Sequence, residues 1–270
     1  MKIAIAGAAG RMGQMLVREI ARTEGCSLVG ALEGPGSTML GREAGEVAGV
    51  GTSHRSIKGV KIVSDPGAAI GAADAVIDFT VPAATVAHAK VAAEKGVAMV
   101  IGTTALDPQQ TAAIHEAAKK VPILWAANMS IGINILLALV EKTAGMLDPA
   151  YDIEVLEMHH RHKIDAPSGT ALALGRAAAT GRGVKLEEVW RKTRDGHTGA
   201  RPSGEIGFAT LRGGEEVGVH TVMFAAAGER LELNHRAFSR ETYASGAVRS
   251  ALWLQGKTPG LYGMKDVLGL

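Results

Sequence analysis

A single cysteine, Cys26, stands in 270 residues, so the chain closes no internal disulfide and reads as a protein of a reducing compartment. Aromatic residues make up only 4%, and stacking platforms for single-stranded nucleic acid need more of them. Neither sign of charge dominates. The formal net charge of +2 argues against bulk binding to nucleic acid or to an anionic membrane. Long apolar runs are missing as well: the longest, residues 131–140, already contains Gly132 and Asn134 and stops at Glu141, short of a membrane span. The N-terminus opens on strand-like sequence, and Arg11 interrupts it too early for a signal peptide. These absences predict a cytoplasmic protein with neither nucleic-acid nor membrane partners. With 47% hydrophobic and 21% charged residues, the chain can bury one large or two modest cores.

What is present alternates. Apolar runs at 3–6, 27–32, 75–79, 98–101 and 123–126 read as short buried strands. Helical stretches at 12–22, 83–95 and 108–119 lie between them, and a further helix covers 134–144. This order predicts an α/β fold with a Rossmann-type, doubly wound parallel sheet. After Tyr151 the pattern changes: 151–158, 204–212, 218–226 and 230–235 read as longer strands with polar alternation. One substantial helix, 170–179, sits among them. That predicts a second, α+β domain on an open mixed sheet. Helix returns over 243–254 and is expected to pack on the first domain. The expected division is 1–130 completed by 240–270, and 131–239.

Gly7, Gly10 and Gly13 follow the first strand, one residue off the commonest dinucleotide fingerprint. Gly7 permits a tight turn, Gly10 lets backbone approach a pyrophosphate, and Gly13 allows helix to pack closely on sheet. An ordinary strand–helix turn carries similar glycines, so context decides. Glu33 closes the second strand 20 positions after Gly13, where a carboxylate accepts hydrogen bonds from ribose hydroxyls. Gly102, Thr103 and Thr104 follow one later strand, and Ala126, Ala127, Asn128 and Met129 follow the next. Both loops stand at carboxyl ends, where such sheets bind ligands.

The densest chemistry is at His159, His160, Arg161, His162 and Lys163, followed by Asp165, Ala166, Pro167, Ser168, Gly169 and Thr170. Ser168 can cap the next helix, with Gly169 and Thr170 offering backbone N–H groups at its positive end. Basic side chains facing such a terminus make a receptor for a small molecule with two negative groups, and His and Lys also move protons. The plain alternative is a solvated basic face. A metal is not expected, because Arg161 and Lys163 interrupt the histidines and Cys26 is remote.

These motifs resemble the 4-hydroxy-tetrahydrodipicolinate reductase (dihydrodipicolinate reductase) family. The likeness rests on residues 6–13, Asp78-Phe79-Thr80, Gly102-Thr103-Thr104, Ala126-Ala127-Asn128 and, most specifically, residues 157–171. Gly196-His197-Thr198-Gly199, Gly207-Phe208-Ala209-Thr210 and residues 234–253 extend it over essentially the whole chain. The resemblance implies NADH- or NADPH-dependent reduction of a cyclic dicarboxylate in lysine and diaminopimelate biosynthesis. Hydride goes to ring C4, the 4-hydroxyl leaves as water, and a proton reaches the neighbouring carbon. By the family pattern His159 is the general acid/base and Lys163 a second proton donor. His160, Lys163, Gly169 and Thr170 hold the substrate carboxylates. Dinucleotide contacts fall on Gly7, Ala8, Ala9, Gly10, Arg11, Met12, Glu33, Gly102, Thr103, Thr104, Ala126, Ala127, Asn128 and Met129. The resemblance also implies a homotetramer built through the second domain, and a substrate cleft that closes by hinge motion.

One departure matters. Members that use NADPH well carry Glu-Arg at the end of the second strand, whereas here Gly34 follows Glu33. The cation that would face a 2′-phosphate is missing, Arg11 is the remaining phosphate partner, and NADH is expected to be favoured. Two other readings stay open: a dehydrogenase of amino acids or sugars working through Lys163, and a nucleotide-sensing protein without catalysis.

Overall fold

The computed structural model describes residues 1–51 and 53–270. The first elements are β1 (Lys2–Ala6), α1 (Arg11–Arg22), β2 (Ser27–Leu32), α2 (Ala44–Val47), β3 (Ile62–Val63), α3 (Pro66–Ile70) and β4 (Ala75–Asp78). Next come α4 (Pro82–Lys95), β5 (Ala98–Ile101), α5 (Pro108–Ala118), β6 (Pro122–Trp125) and α6 (Ile131–Met146). β7 (Asp152–His159), α7 (Gly169–Gly181), α8 (Leu186–Val189), β8 (Trp190–Arg191), β9 (Ile206–Arg212), β10 (Gly218–Ala225) and β11 (Arg230–Ala237) follow. The chain ends with α9 (Glu241–Leu254), β12 (Gly260–Tyr262) and α10 (Met264–Leu268). It folds as two units, Met1–Ile131 with Arg240–Leu270, and Gly132–Ser239.

The first unit holds a seven-stranded parallel sheet in the order β12-β6-β5-β4-β1-β2-β3. Successive strand residues face opposite layers. Ile3, Ile5, Ile77, Val100 and Leu124 share a core with Leu16, Val17 and Ile20 of α1 and Ala247 and Ala251 of α9. Ala4, Ala6, Val76, Met99 and Ile101 join Ala89 and Ala92 of α4 and Ile114 of α5 on the other side. Covering both faces is why these strands read as unbroken apolar runs. The sheet is also wider than the sequence suggests. β3 and β12 extend its two edges, and at two and three residues they are too short to show a period.

The order of strands reverses between β1 and β4, and the loops leaving those two strands therefore meet at the switch point. α1 buries Gly13, Leu16, Val17 and Ile20, a helical i, i+3, i+4, i+7 stripe. Gly13 is required there: a Cβ would stand 2.0 Å from the Gly7 carbonyl oxygen. Gly7 itself sits at φ +80°, a conformation that side chains resist.

The second unit is a five-stranded mixed sheet, β11-β10-β7-β9-β8. β7 runs parallel to β9 and antiparallel to β10. On one face Ile153, Val155, Ile206, Phe208, Val222 and Phe224 share a core with Leu136 and Val140 of α6 and Leu174 and Ala178 of α7. The other face carries Glu154, Leu156 and Met158, only half-buried. Strict alternation along β7 puts Glu157 and His159 on the covered side with Ile153 and Val155. No helix among the described residues is long and apolar enough to cross a membrane.

Candidate active site

At the switch point of the first unit, Gly7, Gly10, Glu33 and Gly34 line a cavity of about 560 Å³ with Phe79, Thr80 and His88. That volume lies in the range of small-molecule sites. The Ala9 N–H donates to Glu33 Oε1 at 2.7 Å, so the carboxylate is held against the glycine turn. Gly7 and Ala8 N–H groups both donate to the Leu32 carbonyl, and Ala8 is buried, so these two residues fix the shape of the turn. α1 has Gly10 as N-cap with no side-chain cap, so its positive end is open to an anion. Turn, helix end and adjacent carboxylate fit a dinucleotide.

Arg11 and Met12 open α1 directly after Gly10. They line a second cavity, about 340 Å³, with Phe79, Ala127, Asn128, Met129, Arg240 and Tyr243. Glu33 and Gly34 belong to the other cavity. The Met129 side chain is buried in the core, and the Asn128 side chain accepts the Ser130 N–H at 2.9 Å. Arg240 and Tyr243 come from the C-terminal segment, whose return to this unit was expected; that these two residues reach the loop after β6 was not foreseen.

Asp78 organises the loops between these cavities and was also missed as a hub. Fully buried at the end of β4, its Oδ1 accepts the hydroxyls of Thr80, Thr85 and Thr103 at 2.7, 2.9 and 3.0 Å. Its Oδ2 meets His88 Nδ1 at 2.6 Å. Gly102 N–H donates to the Asp78 carbonyl, and Ala126 N–H to that of Ile101. Thus Gly102 and Thr103 are tied to the β4 loop, with Thr104 exposed beyond them. The Asp-Phe-Thr motif ending a strand was the available signal.

In the second unit one strand–loop–helix passage carries His159, His160, Lys163, Gly169 and Thr170. Ser168 caps α7 as expected, its Oγ accepting the Ala171 N–H at 3.1 Å. The Ser168 N–H donates to Glu157 Oε1 at 3.0 Å, and Glu157 Oε2 takes the Nδ1 of His159. Arg212 grips both oxygens of Glu157 at 3.0 Å. Burial alone would raise the Glu157 pKa, but the bonds from His159, Arg212 and Ser168 outweigh it and hold the group at about 2. Glu157 therefore faces His159 Nδ1 as a carboxylate acceptor.

His220 lies opposite Glu157 across β10 and β7, with its ring 5.1 Å from that of His159. Burial, then the neighbouring His159, lower its pKa to about 4, so it is neutral near pH 7. Glu157, His159 and His220 offer atoms within 4.8 Å of one another, the spacing of a metal site. However, both carboxylate oxygens already meet the Arg212 cation, and a metal would have to displace it.

Lys163 donates to Asp165 Oδ1 at 2.8 Å, with side chains 22% and 55% exposed. So exposed a pair contributes only about 0–1 kcal/mol, and an incoming carboxylate can take the ammonium over. Its ammonium holds the Asp165 carboxyl below its ordinary value. His160 is half-buried, and its N–H donates to Glu216. Arg161 and His162 are exposed. Glu157, Arg212 and His220 escaped the sequence reading as site residues, although β7 alternation puts Glu157 beside His159.

Residues 1–129 match the family model for the N-terminus of dihydrodipicolinate reductase, and residues 132–268 match that for its C-terminus. The 4-hydroxy-tetrahydrodipicolinate reductase of Afipia carboxidovorans is 52% identical over 270 residues, 100% of this chain and 97% of the relative. That of Ruegeria pomeroyi is 53% identical over 268 residues, 99% of this chain and 98% of the relative. In fold, the chain is similar to the dipicolinate-bound dihydrodipicolinate reductase from Paenisporosarcina sp. TG-14, with TM-score 0.77, 24% identity and 98% coverage of both chains. With both halves matched and relatives more than half identical over the full length, the chain belongs to the dihydrodipicolinate reductase family.

Proposed function

We propose that this chain reduces 4-hydroxy-tetrahydrodipicolinate to tetrahydrodipicolinate with a reduced nicotinamide dinucleotide, in lysine and diaminopimelate biosynthesis. The observation that carries the reading is the passage from Glu157 to Thr170. There an imidazole fixed by a carboxylate, a lysine and a capped helix terminus follow one another on one unit. A ring with two carboxylates matches that set. His160, Lys163 and the Gly169–Thr170 end of α7 hold the carboxylates, each charge-assisted contact contributing about 1.5–3 kcal/mol. The 4-hydroxyl leaves the ring as water, His159 gives a proton to the ring carbon next to C4, and Lys163 supports it.

The dinucleotide supplies a hydride for C4. The turn Gly7, Ala8, Ala9, Gly10 lets the backbone approach its phosphates, and Arg11 and Met12 receive them at the α1 terminus. Glu33 receives ribose hydroxyls, and the loops at Gly102, Thr103, Thr104 and Ala126, Ala127, Asn128, Met129 shape the rest. NADH is favoured, because Glu33 repels a 2′-phosphate and Gly34 offers no cation to offset it. The active protein is a homotetramer assembled through the second unit, whose uncovered sheet face presents Leu156, Met158 and Leu211.

The test is cofactor oxidation with the cyclic dicarboxylate present or absent. Turnover should require the dicarboxylate and show a higher kcat/KM with NADH than with NADPH. Gly34→Arg should move that ratio towards NADPH by about tenfold, for one new ion pair of about 1.4 kcal/mol. Absence of turnover with either cofactor would overturn the reading, and a strong wild-type preference for NADPH would overturn its cofactor part.

A further inference from the structure

His159 is held from behind by a network that the reduction itself does not explain. Glu157 has 0% of its side chain exposed, yet it remains ionised. Four donors fill its two oxygens: His159 Nδ1 and Arg212 Nη1 on Oε2, Ser168 N–H and Arg212 Nη2 on Oε1. Arg212 reaches further, its Nη2 donating to the Asp165 carbonyl at 2.6 Å. The other ring nitrogen of His159, Nε2, turns towards Gly218, where an added Cβ would approach it to 3.1 Å.

We propose that Glu157 is a positioning residue for the reduction. It holds Nδ1 of His159, which leaves Nε2 as the ring nitrogen that can deliver the proton, and through the Ser168 N–H it ties that imidazole to the helix terminus that grips the carboxylates. The inference rests on the reductase reading of the site. In the proton step the His159 Nε2–H bond breaks, its electron pair stays on nitrogen, and the proton forms a C–H bond on the ring. The Nδ1–H bond to Glu157 persists throughout, so the imidazole turns neither before nor after the transfer. A carboxylate facing a histidine acts this way in hydrolase triads, by setting tautomer and orientation.

A purely structural buried ion pair is the competing account, and two measurements separate them. Glu157→Gln keeps the shape of the side chain. Its kcat should fall at least about tenfold and by no more than the ~10²–10⁴ that a positioned acid contributes, while dinucleotide affinity stays within about twofold. Added to His159→Gln, the same change should slow kcat no further, since the amide oxygen of the Gln at position 157 still accepts the Ser168 N–H and only the hold on His159 is lost. Should Glu157→Gln fail to fold, ¹⁵N NMR of histidine-labelled wild type decides at alkaline pH: neutral His159 should carry its proton on Nδ1. Wild-type kcat in Glu157→Gln, an added loss in the double variant, or a proton on Nε2 would each overturn the proposal. An inactive wild type would instead overturn the reductase reading, and the NMR result would stand apart from it.

Discussion

On the proposed reading, His160, Lys163 and the first turn of α7 receive two negative groups of one ring. Lys163 already shows what it binds when substrate is absent: the exposed Asp165 carboxylate, 2.8 Å away. Pyridine-2,6-dicarboxylate should therefore compete with substrate. A pyridine monocarboxylate should bind about 10- to 150-fold more weakly, as expected for one lost charge-assisted contact of about 1.5–3 kcal/mol. Lys163→Ala should narrow that gap, and inhibition constants measured for both compounds on both proteins check it. The residues of this site were legible in sequence because they are consecutive. Arg212 was not, since it meets Glu157 across 55 residues of chain, a distance that only strand pairing of β7 with β9 closes.

The strand–loop–helix passage depends on its cap. Ser168 contributes two groups in two directions: Oγ to the α7 terminus and N–H to Glu157. Ser168→Ala removes the first and leaves the second. It should cost about 1 kcal/mol, lowering Tm by about 2–4 °C in differential scanning calorimetry. Elements with a long period were readable, among them β1, α1, β2 and α7, whose apolar spacing or start signals stand in the sequence itself. β3, β8 and β12 were not, because two or three residues show no period and their pairing is set by neighbours far along the chain. The Asp78 hub was unreadable for a related reason: the three hydroxyls it gathers come from α4 and from two different loops.

For the molecule as a whole, the buried histidine and carboxylate set the response to acid. His220 titrates at about 4 in the fold against an ordinary 6.5. The unfolded chain thus binds its proton first, and stability falls as pH drops from about 6.5 towards 4. Burial lowers His235 as well, in the same sense. Glu157, at about 2 against an ordinary 4.5, contributes stability above 4.5 that is lost as pH falls towards 2. Thermal midpoints should decline continuously across the whole window, and His220→Gln should flatten only its upper part. A wild-type midpoint that holds steady between pH 6.5 and 4 would contradict the buried neutral His220.

On the proposed reading a ring held by Lys163 and the α7 terminus is reduced at C4 and protonated beside it. Isotope position in the product tests this most directly. Turnover with NADH deuterated at the nicotinamide C4 of the transferred face, in ordinary water, should give tetrahydrodipicolinate with one deuterium at ring C4. Unlabelled NADH in deuterated water should instead label the neighbouring carbon. Deuterium from the cofactor at any other carbon, or none in the product, would contradict the account.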